Sequence, residues 1–308
     1  MRSCQRLCLV VVLSAAILGL ALPSRAEQAP SPAPGLSIHY EELTAPDFVK
    51  AVAQSGSTCV IPLGIIEKHG PHLPLGTDLL DVREVCRRAA LKEYTIIFPQ
   101  YFIGQIFEAR HQPGTIAYSV ETMGTVLQET CDELARNGIK KIILVNGHGG
   151  NDQFVQYFCQ SQLAKKKDYA VFLFDPSDDP AAEEAIQKLK KTTVDGHAGE
   201  GETSSMLAHR PDLVHLDRAA DQTGADQHQL TGLKHAYTGI WWYAKTPNHY
   251  LGTGAAGNKE LGEKMLAVES GQLADMIRSV KQDKMTLELQ RRFFEAIDKP
   301  LETNQTIK

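Results

Sequence analysis

Apolar residues recur along this chain with two different periods, and the periods take turns. Residues 59–66 are a near-continuous, largely β-branched apolar run. Residues 78–92 then place Leu79, Leu80, Val82, Val85, Cys86, Ala89 and Ala90 at helical spacing. The exchange repeats with a short strand at 94–98 closed by Pro99, a helix at 120–137 and a buried strand at 139–145. A helix at 151–165, a strand at 169–174 and a helix at 180–191 continue it. Ser119 is placed to cap the helix at 120–137 and Gly138 to end it. This alternation predicts an α/β fold, a mostly parallel sheet with helices on both faces. Residues 211–257 lack a period and are rich in Gly, His, Asp, Thr and aromatics. They read as long loops, which at that length are usually functional or disordered. A helix at 258–280 and an amphipathic stretch to about Ile297 complete the map.

The first 26 residues stand apart from that rhythm. Arg2 and Arg6 precede an apolar run from 7 to 22, and Ser24-Arg25-Ala26 sets small residues at the −3 and −1 positions of a cut. That is the pattern of a secretory signal peptide removed after Ala26. The run is shorter than the ~20 apolar residues of a membrane span. Cys8 lies inside the run with no Cys at the cut, which argues against a lipoprotein anchor. The expectation is an exported protein, periplasmic or secreted, with no membrane contact after cleavage. Residues 27–35, rich in Pro and Ala, read as an extended linker. Residues 36–308 read as one catalytic domain, since no second linker or fixed-period repeat follows.

Losing the three arginines of the leader takes the formal charge from −5 to −8. Mild acidity of this kind opposes nucleic acid and anionic membrane as partners. Cys59, Cys86, Cys131 and Cys159 remain, widely spaced on strand and helix patterns. They read as buried free thiols and not as a disulfide framework.

Candidate chemistry collects where strands give way to loops, the place where open α/β sheets gather ligands. Glu67 and His69 are two apart in an extended segment, so both side chains face one side. Gly70-Pro71 and Gly76-Thr77-Asp78 then turn the chain into a helix. Asp78 is expected at the N-cap, where backbone N–H groups and the helix dipole favour a carboxylate. Taken alone it is a cap; beside Glu67 and His69 it is a ligand candidate. His148 stands in Asn146-Gly147-His148-Gly149-Gly150-Asn151, with glycines permitting close backbone approach and two amides to hold the loop. A third segment, 195–204, supplies Glu202 as a ligand candidate and His197 as a proton-transfer group. Glu200 reads as a solvated helix start. Glu67, His69, Asp78, His148 and Glu202 suffice for two divalent ions if one carboxylate bridges. Their mixed N/O chemistry suits Zn, Mn or Fe. Two ions roughly 3.5–4 Å apart hold a bridging hydroxide and polarise a carbonyl, the arrangement of a hydrolase.

These residues resemble the creatininase family (creatinine amidohydrolase and relatives). The match lies in Glu67-x-His69-Gly70-Pro71-His72-Leu73-Pro74-x-x-Thr77-Asp78, in Asn146-Gly147-His148-Gly149-Gly150-Asn151, and in His197-Ala198-Gly199-x-x-Glu202-Thr203-Ser204. Weaker blocks fall at 114–116 and 252–262, and the resemblance spans about residues 40–280. It implies a three-layer α/β/α fold, a two-metal centre, hydrolysis of non-peptide C–N bonds in small cyclic amides, and homo-oligomers, often hexamers. By the same resemblance Glu67 and His148 hold one metal, His69 the other, and Asp78 bridges. His197 matches the family's catalytic histidine, which protonates the departing nitrogen. Within the first motif His72 is taken as substrate-binding, together with Trp241 and Trp242 at the pocket mouth. Those adjacent tryptophans equally suit a subunit interface.

Two departures matter. Creatininase proper carries a metal-binding Glu where this chain has Gly150, so Glu202 must supply the second metal's carboxylate, and creatinine itself is in doubt as substrate. Lys68 replaces the family's usual Gln, either to orient an anionic substrate group or as a solvent-facing Lys at a strand end. The expected function is an exported, metal-dependent amidohydrolase acting on a small-molecule amide. The alternatives are a deformylase-like, lactone-opening or peptide-trimming hydrolase on the same site, or a catalytically silent metal-binding protein.

Overall fold

The computed structural model describes residues 35–176 and 178–302. The signal segment and the linker, Gly35 excepted, lie outside the described residues. In chain order the elements are α1 (Ala45–Gln54), β1 (Thr58–Leu63), α2 (Thr77–Lys92), β2 (Ile96–Ile97) and α3 (Val120–Arg136). There follow β3 (Lys141–Asn146), α4 (Asp152–Ser161), β4 (Ala170–Leu173), α5 (Pro180–Gln187) and β5 (Asp195–His197). The last are α6 (Glu200–His209), α7 (Trp241–Lys245), β6 (Leu251–Gly252), α8 (Lys259–Gln282) and α9 (Met285–Ile297).

The main sheet runs β2-β1-β3-β4, and every pair in it is parallel. Side chains of the central strands alternate between two cores, as strand geometry requires. Cys59, Ile61, Leu63, Ile142 and Leu144 pack against Ala51 of α1, Leu127 and Cys131 of α3, and Val155 and Phe158 of α4. Val60, Ile143 and Val145 face Val82 and Cys86 of α2 and Leu266, Leu273 and Ile277 of α8. The result is the expected three-layer α/β/α arrangement. Burial on both faces explains why β1 and β3 read as unbroken apolar runs. Each fully buried aliphatic side chain contributes about 1.5–3 kcal/mol.

The caps expected of α3 are in place. Ser119 accepts from Thr122 N, Gly138 follows α3 at φ +95°, and Asn258 caps α8 by accepting from Leu261 N. The second strand is shorter than expected, only Ile96–Ile97. Helix α1 was not expected, although Thr44 as cap and Pro46 in the first turn announce it. The periodless segment 211–257 also holds more than loop. It contains α7 and all of β6, which pairs antiparallel with β5 in a separate two-stranded sheet. The four described cysteines are free thiols, as expected. No described helix is long and apolar enough to cross a membrane.

Candidate metal centre

Neighbouring parallel strands bring the first two motifs together. Leu63 pairs with Asn146 at the carboxyl ends of β1 and β3, and both chains continue into the site. The loop after β1 folds back on itself, with Glu67 N donating to Leu75 O (3.0 Å) and Leu73 N to His69 O (3.3 Å). A Cβ on Gly147 would stand 2.7 Å from Val82 Cβ and 3.0 Å from Asp78 O. Its absence lets the first turn of α2 approach the end of β3. Asp78 is not the cap expected of it. Gly76 takes that position, and Asp78 is the second residue of the helix, with its carboxylate turned into the site. The third motif arrives on β5. Ala198 bends the chain at φ +52°, and its N–H donates to Glu202 Oε2 at 2.5 Å.

All five ligand candidates and His197 converge. His148 Nδ1 lies 2.9 Å from Glu67 Oε1 and 3.1 Å from Asp78 Oδ2. His69 Nε2 lies 2.8 Å from Asp78 Oδ1 and 3.8 Å from Glu202 Oε2. Two groups able to hold a cation follow, Glu67-Asp78-His148 and His69-Asp78-Glu202, with Asp78 common to both. Among the described residues a third, Glu67-His69-His197, overlaps them.

Hydrogen bonding settles how the rings face. A backbone carbonyl can only accept, so His148 Nε2–H donates to Gln105 O (2.9 Å), His69 Nδ1–H to Glu67 O (3.3 Å) and His197 Nε2–H to Lys68 O (2.8 Å). Each imidazole therefore turns its other nitrogen inward, the habit of metal-ligating histidines. Glu67 Oε1 and Asp78 Oδ2 are buried without a hydrogen bond, although both lie close to His148 Nδ1. Unpartnered buried oxygens around an inward nitrogen fit a divalent cation.

Electrostatics tell the same story. Burial alone would raise the Glu67 carboxyl, but His148 and His197 hold it well below the usual carboxylate range. Burial opposes protonation of His69, yet Asp78, then Glu202 and Glu67, push it up to about 10. His148 is likewise raised well above its ordinary value by Glu67 and Asp78, against burial. Three carboxylates in so small a space demand positive charge, which protons or metal ions supply.

The centre opens into a cavity of about 1040 Å³ whose lining includes Glu67, Asp78, His148, His197, Glu202, Trp241 and Trp242. Both tryptophans thus stand on the cavity wall. His72 does not. It is 1% exposed, its Nε2 bonded to Thr203 Oγ1 at 2.8 Å and its ring against Tyr250, so it braces the third motif from behind. Lys68 is not solvent-facing either: it is buried, and its Nζ donates to Gln222 Oε1 (2.6 Å) and Asn248 O (2.7 Å). Glu200, expected in solvent, is fully buried and accepts from Lys191 N, Thr192 N and Thr192 Oγ1. Asn146 and Asn151 hold the second motif as expected, through Asn146 Nδ2 to His148 O (2.7 Å) and Gln105 N to Asn151 Oδ1 (2.8 Å). Two site residues escaped the sequence reading. Gln105 lies in a loop with no motif, and His249 reaches Glu67 across a sequence separation of 182 residues.

Known proteins are similar to this chain over most of its described residues. The creatininase family profile, described as creatinine amidohydrolase, matches residues 41–277. Creatinine amidohydrolase of Pseudomonas putida is 32% identical over 206 residues, 61% of this chain and 78% of that one. The mycofactocin precursor peptide peptidase of Mycobacterium ulcerans is 28% identical over 180 residues, 56% of this chain and 66% of that one. A solved manganese form of creatininase superposes with a TM-score of 0.66 at 29% identity, covering 79% of this chain and 98% of its own. With three ordered motifs meeting in one cation-ready centre on the shared fold, the chain belongs to the creatininase family, metal-dependent hydrolases acting on C–N bonds.

Proposed function

We propose that this protein hydrolyses an amide C–N bond at a centre of two divalent ions. Glu67, Asp78 and His148 hold the first ion, and His69, Asp78 and Glu202 hold the second. The observation that carries this reading is the division of Asp78, one oxygen facing His69 and the other facing His148. When bound, such ions supply Lewis-acid polarisation of a carbonyl and a nucleophile at neutral pH. The nitrogen and oxygen donors suit Zn, Mn or Fe.

His197 does the proton work. Its Nε2–H is committed to Lys68 O, so Nδ1 faces the reacting centre, 4.0 Å from Glu202 Oε2. Protonated there, it donates to the departing nitrogen. Trp241 and Trp242 wall the cavity and give a flat amide an apolar face. The first reading is a small, cyclic amide. The cavity volume favours a second, an amide at the end of a short peptide, because it stands at the upper end of the usual ligand-pocket range. The basic-then-apolar start of the chain supports export, and family resemblance supports a homo-oligomer.

Elemental analysis and turnover of the chain from Glu27, beside His197→Gln, test the proposal on a panel of cyclic amides and short peptides. The variant is expected to keep its metal and lose about 10²–10⁴ of its rate. Undiminished turnover would remove His197 from the chemistry, and a parent that binds no metal would sink the mechanism.

A further inference from the structure

His249 spends its N–H on a carboxylate of the centre, whereas His69, His148 and His197 each donate theirs to a backbone carbonyl. Trp242 Nε1–H, which can only donate, gives its hydrogen to His249 Nδ1 at 2.8 Å. Nδ1 therefore holds the lone pair, and Nε2 holds the hydrogen. That Nε2–H donates to Glu67 Oε2. Both nitrogens are spent, so His249 has nothing to offer a cation despite sitting 4.4 Å, ring to ring, from His197. Glu67 is divided in consequence: Oε2 is tied to His249, while Oε1 is the buried oxygen without a hydrogen bond, facing His148 Nδ1. His249 is 2% exposed and held at φ +51°, a backbone state that few side-chain-bearing residues adopt.

We infer that His249 is a positioning residue for the metal centre, with Trp242 fixing its tautomer, so that Glu67 presents Oε1 alone to the first ion. The inference rests on the two-metal reading above. It also ties the cavity wall to the metal centre, because Trp242 lines the cavity while its indole N–H sets the ring that holds Glu67.

The test measures zinc dissociation constants on the intact folded protein by competition with a chromophoric chelator, and the visible spectrum of the cobalt-loaded form. The variants are His249→Ala, His249→Gln and Trp242→Phe. His249→Ala is expected to weaken zinc about 10- to 100-fold and to change the cobalt spectrum. His249→Gln, which keeps an N–H donor, recovers part of the loss. Trp242→Phe keeps the aromatic wall but frees the tautomer, and is expected to weaken zinc in the same direction by less. Unchanged affinity and spectrum in both His249→Ala and Trp242→Phe, with the parent binding zinc, overturn this inference and leave the two-metal reading standing. A parent without zinc affinity overturns both. If His249→Ala does not fold, Trp242→Phe decides alone.

Discussion

Asp78 Oδ1 stands 2.8 Å from His69 Nε2, joining the first turn of α2 to the loop after β1. The same carboxylate turns Oδ2 towards His148 on the next strand's loop. One side chain therefore serves both cation groups. Asp78→Asn keeps the shape and removes the charge, and it is expected to empty both sites. Glu202→Gln touches only the second group and should retain one ion. Elemental analysis of purified protein distinguishes them, and near-parent metal content in Asp78→Asn would sink the bridged centre.

Most of the site was legible because its residues cluster in short strings at strand ends. Glu67, His69 and Asp78 span twelve positions, and the glycines around His148 announce a close approach. Backbone context decided what the strings could not. Asp78 looked like a cap because residue type alone does not separate a cap from the second helical position, and Gly76 holds that place. Lys68 and Glu200 looked solvated because their partners, Gln222, Asn248, Lys191 and Thr192, share no local pattern with them. His249 was invisible for the same reason, lying in a segment without period. The sheet and both helical layers followed from periodicity, whereas β5 and β6 were too short to show any, and α1, as long as α4, went unread.

Gly150 constrains the second motif more tightly than a turn requires. A Cβ there would lie 2.3 Å from His148 Nε2 and 3.0 Å from Glu108 Oε1. The Nε2–H bond to Gln105 O aims the ring, so displacing it swings Nδ1 away from Glu67 and Asp78. Gly150→Ala is expected to lower zinc affinity about 10- to 100-fold, as loss of a ligand's supporting bond does. Chelator competition reads it. Parent-like affinity would mean that His148 has room the geometry denies it.

Glu269 on α8 makes stability depend on pH in a defined direction. Burial, then the nearby Asp81 charge, pushes its carboxyl up to about 7 from an ordinary value of 4.5. The folded state therefore holds a proton that the unfolded chain has released. Its contribution is complete below about 4.5 and is lost as pH rises through about 7. Glu269→Gln is neutral throughout, so its Tm should gain on the parent between pH 5 and pH 8, measured with chelator present. A gap that stays constant over that range would place the charged form of Glu269 in a better-solvated environment than the structure gives it.

Gly262 sets the contact between α8 and the helix that carries Glu202. A Cβ on it would lie 1.9 Å from Ser204 O, 2.4 Å from Ser204 C and 2.9 Å from Ser205 N. All three are backbone atoms of α6, so no side chain can swing aside, and the helices must separate. Overpacking of this kind costs about 1–3 kcal/mol, a fall in Tm of roughly 2–10 °C for a domain of this size. Because Glu202 precedes Ser204 by two residues on the same helix, Gly262→Ala should also weaken the second metal. Gly124 in α3 is the control, since nothing lies within 4 Å of a Cβ there. Gly124→Ala is expected to raise stability by about 0.5–1 kcal/mol through helix propensity and to leave metal affinity alone. Opposite Tm shifts from two helical Gly→Ala changes separate a packing glycine from an incidental one. If both variants gain stability, α6 and α8 do not pack as closely as their backbones indicate.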